Sequence, residues 1–324
     1  MTNAILVEQT GGPEVLRWQK VQIGKPGLGQ ALIRHTAIGL NFIDVYFRTG
    51  LYPAPLPFTP GMEGAGIVEA VGEGVTGLAP GDRVGYGQSP LGAYAQHRLI
   101  PADKLILLPD WLSDEVAASM LLQGLTAQYL LRQTFHVKQG DIVLIHAAAG
   151  GVGSIACQWA NALGAIVIGT VGSAEKAALA TANGCHHVIL YRDEDVVARV
   201  REVTGGQGVD VVYDGVGKDT FDRSLDCLRR RGLMVSYGNA SGAVPPFDIG
   251  LLNRKGGLFL TRPSVQHYAG TRDELVSMAD DLLAVVKAGQ VKVQVNQRFA
   301  LRDVANAHRA LEARATTGAT VLIP

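Results

Sequence analysis

From Ile142 to Ala174 the sequence contains no Asp, Glu, Lys or Arg, and within that span its hydrophobic period changes twice. A β-branched run, Ile142 to Ala147, enters the turn Ala148-Ala149-Gly150-Gly151-Val152-Gly153. After it, Ile155, Ala156, Trp159, Ala160 and Leu163 fall on one face at helical spacing. A second extended run, Ala165 to Thr170, closes the unit. Length alone would allow a membrane span. The glycines, His146, Gln158 and Asn161 interrupt it, and the changing period identifies a buried strand, helix and strand instead.

The turn reads A-x-G-x-x-G from Ala148, Gly150 and Gly153, set between strand and helix as a dinucleotide fingerprint must be. Gly150 would let the backbone approach a pyrophosphate and Gly153 would let the helix pack on the sheet, while N–H groups at the helix start hold the anion. Ala149, Gly151 and Val152 join these two as predicted cofactor contacts. An NAD site places Asp or Glu at the end of the second strand to hold the ribose 2′-hydroxyl. Here that place reads Thr170-Val171-Gly172-Ser173, followed by Lys176. No acid repels a 2′-phosphate, so NADPH is expected, with Lys176, Tyr191 and Arg192 as the phosphate clamp.

Beyond this unit the alternation continues, with strands predicted at His187 to Leu190, Val209 to Tyr213, Leu233 to Tyr237 and Leu258 to Leu260. With the first two they make the six of a doubly wound parallel sheet. Helices are predicted over Ala178 to Asn183 and Glu194 to Thr204, each closed by glycine. Arg229-Arg230-Arg231 reads as the cationic end of a further helix. Before about residue 120, short strands alternate with Gly- and Pro-rich turns, an antiparallel barrel pattern. After about 270 come an amphipathic helix through Leu275, Met278, Leu282, Val285 and Val286, a strand near Val293 to Phe299, a helix from Arg302 to Ala313 and a strand, Thr320 to Ile323. That last strand has no neighbour in sequence to pair with. The tail is expected to return to the first domain, giving residues 1–122 and 266–324 as one domain and 123–265 as an inserted nucleotide-binding domain.

Composition narrows the function classes. The 29 basic and 29 acidic residues cancel, so no global field favours nucleic acid or an anionic membrane. Three separated cysteines, Cys157, Cys185 and Cys227, lack metal-ligand or disulfide-framework spacing, and the amino terminus has no secretory pattern, so free thiols in the cytoplasm are expected. His186-His187 is a poor metal site, because adjacent strand residues face opposite ways.

Several further segments resemble the medium-chain dehydrogenase/reductase superfamily, and within it the NADPH:quinone oxidoreductases related to zeta-crystallin. They are Asn41-Phe42-Ile43-Asp44-Val45-Tyr46, Arg48-Thr49-Gly50-Leu51-Tyr52-Pro53, Pro60-Gly61-Met62-Glu63-Gly64-Ala65-Gly66, Gly81-Asp82-Arg83-Val84, Gln123-Gly124-Leu125-Thr126-Ala127 and the glycine turn. The resemblance implies a GroES-like antiparallel barrel domain interrupted by a Rossmann domain. Zinc enzymes of the superfamily carry cysteine and histidine in the regions of Asn41 and Met62; amide and thioether cannot replace them, so no metal is expected. The resemblance places Asn41, Asp44, Tyr46, Tyr52 and Gln123 in the catalytic site. It places Tyr46, Thr126, Gly172, Ser173, Gly215, Gly217, Gly238, Asn239 and Arg262 against the cofactor. It also implies a homodimer paired through the edge strand at Gly257 to Leu260.

Without a Lewis acid, the chemistry suits an acceptor that needs little polarisation, such as a quinone. Two other readings stand beside it: reduction of an enone or alkenal C=C bond, and a non-catalytic NADPH-binding protein with a structural or RNA-binding role. Zero net charge and the lack of a basic stripe weigh against RNA.

Overall fold

Six parallel strands form one sheet in the order His187–Leu190, Ile166–Val171, Ile142–Ile145, Val209–Asp214, Leu228–Ser236 and Phe259–Thr261, in a computed structural model that describes all 324 residues. The order reverses between Ile142–Ile145 and Val209–Asp214. That reversal is the switch point at which open α/β sheets bind ligands beyond their carboxyl ends. The strands are β-branched and buried on both faces because helices cover them: Leu144, Ile168, Ile189, Val212 and Met234 pack with Val196, Val200, Phe221 and Leu225.

One predicted element is different. The arginine run lies at the start of strand Leu228–Ser236, and the helix before it, Phe221–Cys227, has already ended. Leu228 pairs with Val209 and Leu233 with Val211, so the residues between form a bulge, with Arg231 at φ 58°. Burial of Leu228 and Gly232 captures the backbone for the sheet, whatever the basic run favours locally. Arg229 Nε is 2.6 Å from Asp210 Oδ1 on the adjacent strand.

A second sheet of seven strands runs Val295–Ala300, Ala319–Ile323, Gln30–Gly39, Glu63–Val71, Arg83–Gly87 and Ile106–Leu107, with His97–Pro101 also paired to Gln30–Gly39. Its pairings are antiparallel except Val295–Ala300 with Ala319–Ile323, which are parallel. The last strand therefore does return, pairing Val321 and Leu322 with Gly39 and Ile38. Ile5, Ile33, Ile38, Val84, Tyr94, Ile100, Val304 and Leu322 form this core.

Two compact units result: Met1–Leu125 with Ala269–Asp280 and Val293–Pro324, and Thr126–Tyr268 with Asp281–Lys292. No helix is long and apolar enough to cross a membrane.

In the first unit the tail helix Val304–Glu312 is tied to helix Phe42–Thr49 by charge. Arg48, 1% exposed, makes a two-pronged pair with Glu312 at 2.8 and 2.7 Å and donates to His308 Nδ1 at 3.1 Å. Removing one partner of such a pair leaves the other charge stranded. Glu312→Gln is expected to lower unfolding free energy by about 2 kcal/mol, read as a shift in the denaturant midpoint; an unchanged midpoint would remove this contact from the account of how the tail is held.

Candidate active site

The residues expected at the site fall into two sets, one around the glycine turn and one around Asn41. In the second unit the turn after strand Ile142–Ile145 is shaped by contacts that only glycine allows. A Cβ on Gly153 would lie 2.3 Å from the Ala147 carbonyl oxygen, so the first turn of helix Gly151–Ala162 could not approach the turn with any other residue there. Ala147 itself sits at φ 53°, a strained position for a residue with a side chain. Gly150 takes the N-cap position and offers no side-chain acceptor, and the first turn carries no acid. The leading N–H groups of the helix are therefore left for an anion.

Around this turn the other predicted cofactor residues are brought together in two groups. Gly172 and Ser173 follow the second strand; a Cβ on Gly172 would meet the Tyr191 phenol oxygen at 2.6 Å, so that ring closes over the glycine. Ser173 caps helix Ala174–Ala182 by accepting from the Lys176 N–H, and Lys176 and Arg192 stand nearby, half-buried and exposed. In the other group, Gly215, Gly217, Gly238 and Asn239 pack backbone on backbone. A Cβ on Gly238 would lie 2.3 Å from Gly215 O, and one on Gly217 would lie 2.7 Å from Gly242 O and 3.2 Å from the Asn239 Cα. Arg262 donates to Ser236 O at 2.7 Å, at the end of the adjoining strand.

What holds the second group was not visible in the sequence. The fully buried Asp214 accepts from Val216 N, Gly217 N, Thr220 Oγ1 and Ser224 Oγ, all within 3.0 Å. Since Ser224 spends its proton on Asp214, His146 Nε2–H donates to Ser224 Oγ at 3.0 Å, leaving Nδ1 to accept from Thr170 Oγ1 at 2.8 Å. Burial lowers the His146 pKa and keeps the ring neutral. His146 looked like a mere interruption of an apolar run; it links three strand ends.

In the first unit Asn41 is the centre. It caps helix Phe42–Thr49, and the Asp44 carboxylate reaches back to its N–H at 2.9 Å. Its side-chain amide donates to Glu63 Oε2 at 2.6 Å and accepts from Gln123 Nε2 at 3.1 Å. Glu63 Oε1 is fixed in turn by the Leu122 N–H at 2.9 Å. Tyr46 and Tyr52 lie edge to face with ring centroids 5.1 Å apart, and Phe47 abuts Tyr52 at 5.7 Å. Thr126 is buried on helix Leu121–Tyr129, one turn beyond Gln123.

Asp44 has no exposure, and its Oδ2 is engaged by Asn41 N and Tyr94 Oη (2.8 Å). It orients Asn41 and does not itself face a ligand. Behind it the donors run in one direction: Arg48 to His308 Nδ1, His308 Nε2–H to Tyr94 Oη at 3.1 Å, and Tyr94 to Asp44. Glu63, Tyr94 and His308 are the residues that sequence reasoning passed over. Glu63 carried a signal, a lone acid in a run of Gly and Ala; His308, 264 positions from Asp44 (308 − 44), carried none.

Burial dominates the titration of this cluster. It raises Glu63 to about 8 and Asp44 to about 7, against hydrogen bonds that pull the other way, and lowers His35 and His308 to about 3.

No group of three or more His, Cys, Asp or Glu side chains is arranged to hold a metal ion. The donor set at Asn41, an amide committed to Glu63 and Gln123, and the buried thioether of Met62 do not fit zinc.

Residues 27–110 match the model of the alcohol dehydrogenase GroES-like domain and residues 151–284 that of the zinc-binding dehydrogenases. A Pseudomonas aeruginosa protein named quinone oxidoreductase is 52% identical, with all of both chains covered. The chain belongs to the NADPH:quinone oxidoreductase family of the medium-chain dehydrogenase/reductases. Among solved structures, the Escherichia coli quinone oxidoreductase complexed with NADPH superposes with a TM-score of 0.98 at 52% identity, covering 99% of this chain and 100% of that one. A 2-haloacrylate reductase from a Burkholderia species is 49% identical, covering 100% of this chain and 99% of its own. This family member is thus an oxidoreductase with a GroES-like and a Rossmann domain. Its site lacks the ligands for which one of the two matched models is named.

The buried groups make stability depend on pH. Asp44 and Glu63 keep protons in the folded chain after the unfolded chain has released them near 3.8 and 4.5, so stability falls as pH rises through about 7 and 8. His35 and His308 stay neutral when folded, so stability also falls as pH drops below 6.5. The two effects oppose each other between about 4.5 and 6.5, where the denaturant midpoint is expected to be highest, and Asp44→Asn with Glu63→Gln is expected to flatten the decline from 6.5 to about 8. An alkaline decline as steep in the double variant as in the wild type would show that these carboxyls are not its source.

Proposed function

We propose that this protein reduces quinones with NADPH, using the second unit for the cofactor and the Asn41 cluster of the first for the acceptor. The reading is carried by full-length identity of 52% to proteins named quinone oxidoreductase, one of them solved with NADPH. The features of this chain fit the same cofactor. An uncapped helix start, Gly150 to Gly153, receives the pyrophosphate, and the acid-free end of the second strand admits a 2′-phosphate beside Ser173, Lys176, Tyr191 and Arg192. Gly215, Gly217, Gly238, Asn239 and Arg262 line the neighbouring strand ends. When bound, NADPH supplies the hydride.

The chain's own residues bind and orient. Tyr46 and Tyr52 present ring faces and edges to a flat acceptor. The Asn41 and Gln123 amides, held by Glu63 and by the Asp44 cap, lie against its oxygen, and Thr126, one turn beyond Gln123, is a contact for the cofactor. With no fitted metal, transition-state charge falls to such donors.

The 2-haloacrylate reductase relative favours a second reading, reduction of an activated C=C bond. Edge strand Phe259–Thr261, with Phe259 61% exposed, is our candidate for pairing two copies. Three buried free thiols suit the reducing cytoplasm.

Turnover with 1,4-benzoquinone and 9,10-phenanthrenequinone is expected to exceed that with 2-chloroacrylate or an alkenal, with NADPH preferred to NADH and no loss after dialysis against a chelator. The reverse order of acceptors would replace the first reading by the second. Lys176→Ala is expected to raise the NADPH dissociation constant about tenfold or more, the scale of a charge-assisted hydrogen bond, with little effect on NADH. An equal effect on both would reject the clamp.

A further inference from the structure

Gln123 is 7% exposed, and its Oε1 is buried with no hydrogen-bond partner, although its Nε2 is committed to Asn41. A buried amide oxygen left this way marks either a cost or a ligand position. Its direction is dictated from the far end of a short chain. Leu122 N–H fixes Glu63 Oε1, so Glu63 Oε2 faces the Asn41 amide at 2.6 Å, and Asn41 in turn faces Gln123 at 3.1 Å.

A carboxylate only accepts, whereas a carboxylic acid also donates. With Glu63 ionised, Asn41 must give its N–H to Glu63, Gln123 must give its N–H to Asn41, and Gln123 presents a carbonyl oxygen. With Glu63 protonated, its O–H serves Asn41 Oδ1, Asn41 Nδ2 serves Gln123 Oε1, and Gln123 presents an N–H. Each amide has turned half a revolution with its shape unchanged, and the only covalent change is the one proton that Glu63 takes up from water.

We propose that Glu63 is a positioning residue for the reaction, its protonation setting whether Gln123 offers the ligand a donor or an acceptor. The proposal rests on the quinone reading above and adds a direction to it. Quinone oxygens only accept, so the oxidised acceptor is favoured by protonated Glu63. Hydroquinone hydroxyls donate, so the reduced product is favoured by ionised Glu63.

The groups facing Glu63 allow both states. Asp44 lies beside it on helix Phe42–Thr49, and the Tyr86 and Tyr94 hydroxyls, both kept protonated by burial, lie within its field. His35 stays neutral and bonds Tyr86, over which Arg98 stacks at 4.9 Å. The Asp44 N–H, facing the Asn41 side chain at the helix start, weighs for the ionised arrangement, while burial weighs for the protonated one and places the change at about 8.

The test is steady-state kinetics of the full-length enzyme with NADPH and 9,10-phenanthrenequinone on either side of pH 8, with product inhibition by the corresponding hydroquinone. In the wild type the quinone KM should rise by about three- to tenfold with pH, the scale of one hydrogen bond, while hydroquinone inhibition strengthens. Glu63→Gln, which can always donate, should hold the quinone KM at its low-pH value throughout and remove the one carboxylic acid C=O infrared band that titrates at about 8. Gln123→Met, with Glu63 intact, should also abolish the pH step, and Asp44→Asn should keep it.

A wild-type KM flat across this range, or a Glu63→Gln enzyme with the wild-type step, would overturn the proposal. If Glu63→Gln fails to fold, Gln123→Met decides, since a step that survives in it has another origin. Loss of quinone turnover at every pH in the wild type, with NADPH still bound, would defeat the quinone reading itself.

Discussion

Helix Gly151–Ala162 can lie where it does only because residue 153 has no side chain, since a Cβ there would stand 2.3 Å from the Ala147 carbonyl. Much of the second unit follows from that approach. It sets the helix start at the switch point of the sheet, where the first turn carries no acid and its leading N–H groups have no side-chain cap. Strain at Ala147 is tolerated because the flanking strand and helix fix both ends of the turn. The neighbouring glycine loops are then held from beneath by Asp214, whose carboxylate takes two backbone N–H groups and two side-chain hydroxyls.

The first unit solves a different problem, that of keeping amides in register without a metal. Asn41 is held at its backbone by Asp44 and at its side chain by Glu63, and both acids are buried, so each depends on further donors: Tyr94 for one, Leu122 N for the other. Tyr94 is oriented by His308, and His308 by Arg48. A residue in the carboxyl-terminal tail thus sets the hydroxyl that sets the cap of a helix near the amino terminus. Such a chain gives up stability wherever a member is unsatisfied, as Asp44 Oδ1 is here.

The second unit was largely legible because its signals are local. Strand period, glycine positions and the missing acid all lie within the span Ile142 to Lys176, and His187–Leu190 appeared where the pattern put it. Arg229 to Arg231 misled because a charge run reports helix ends only when nothing else claims the backbone; the sheet claimed it. Family resemblance named Asn41, Tyr46 and Gln123, but periodicity did not. Glu63, Tyr94, His308 and Asp214 escaped because hydrogen bonds between residues far apart in sequence leave no period behind.

The return of strand Ala319–Ile323 to Gln30–Gly39 has a consequence for assembly. On a ribosome, the seven-stranded sheet waits for the tail before its strand order is complete, while most of the second unit, continuous from Thr126 to Tyr268, has already emerged. Loop closure across the whole insertion comes last, and it is made easier once the insertion is compact and its ends are fixed. The unit that carries Asn41 is therefore the later of the two to be finished, although its sequence comes first.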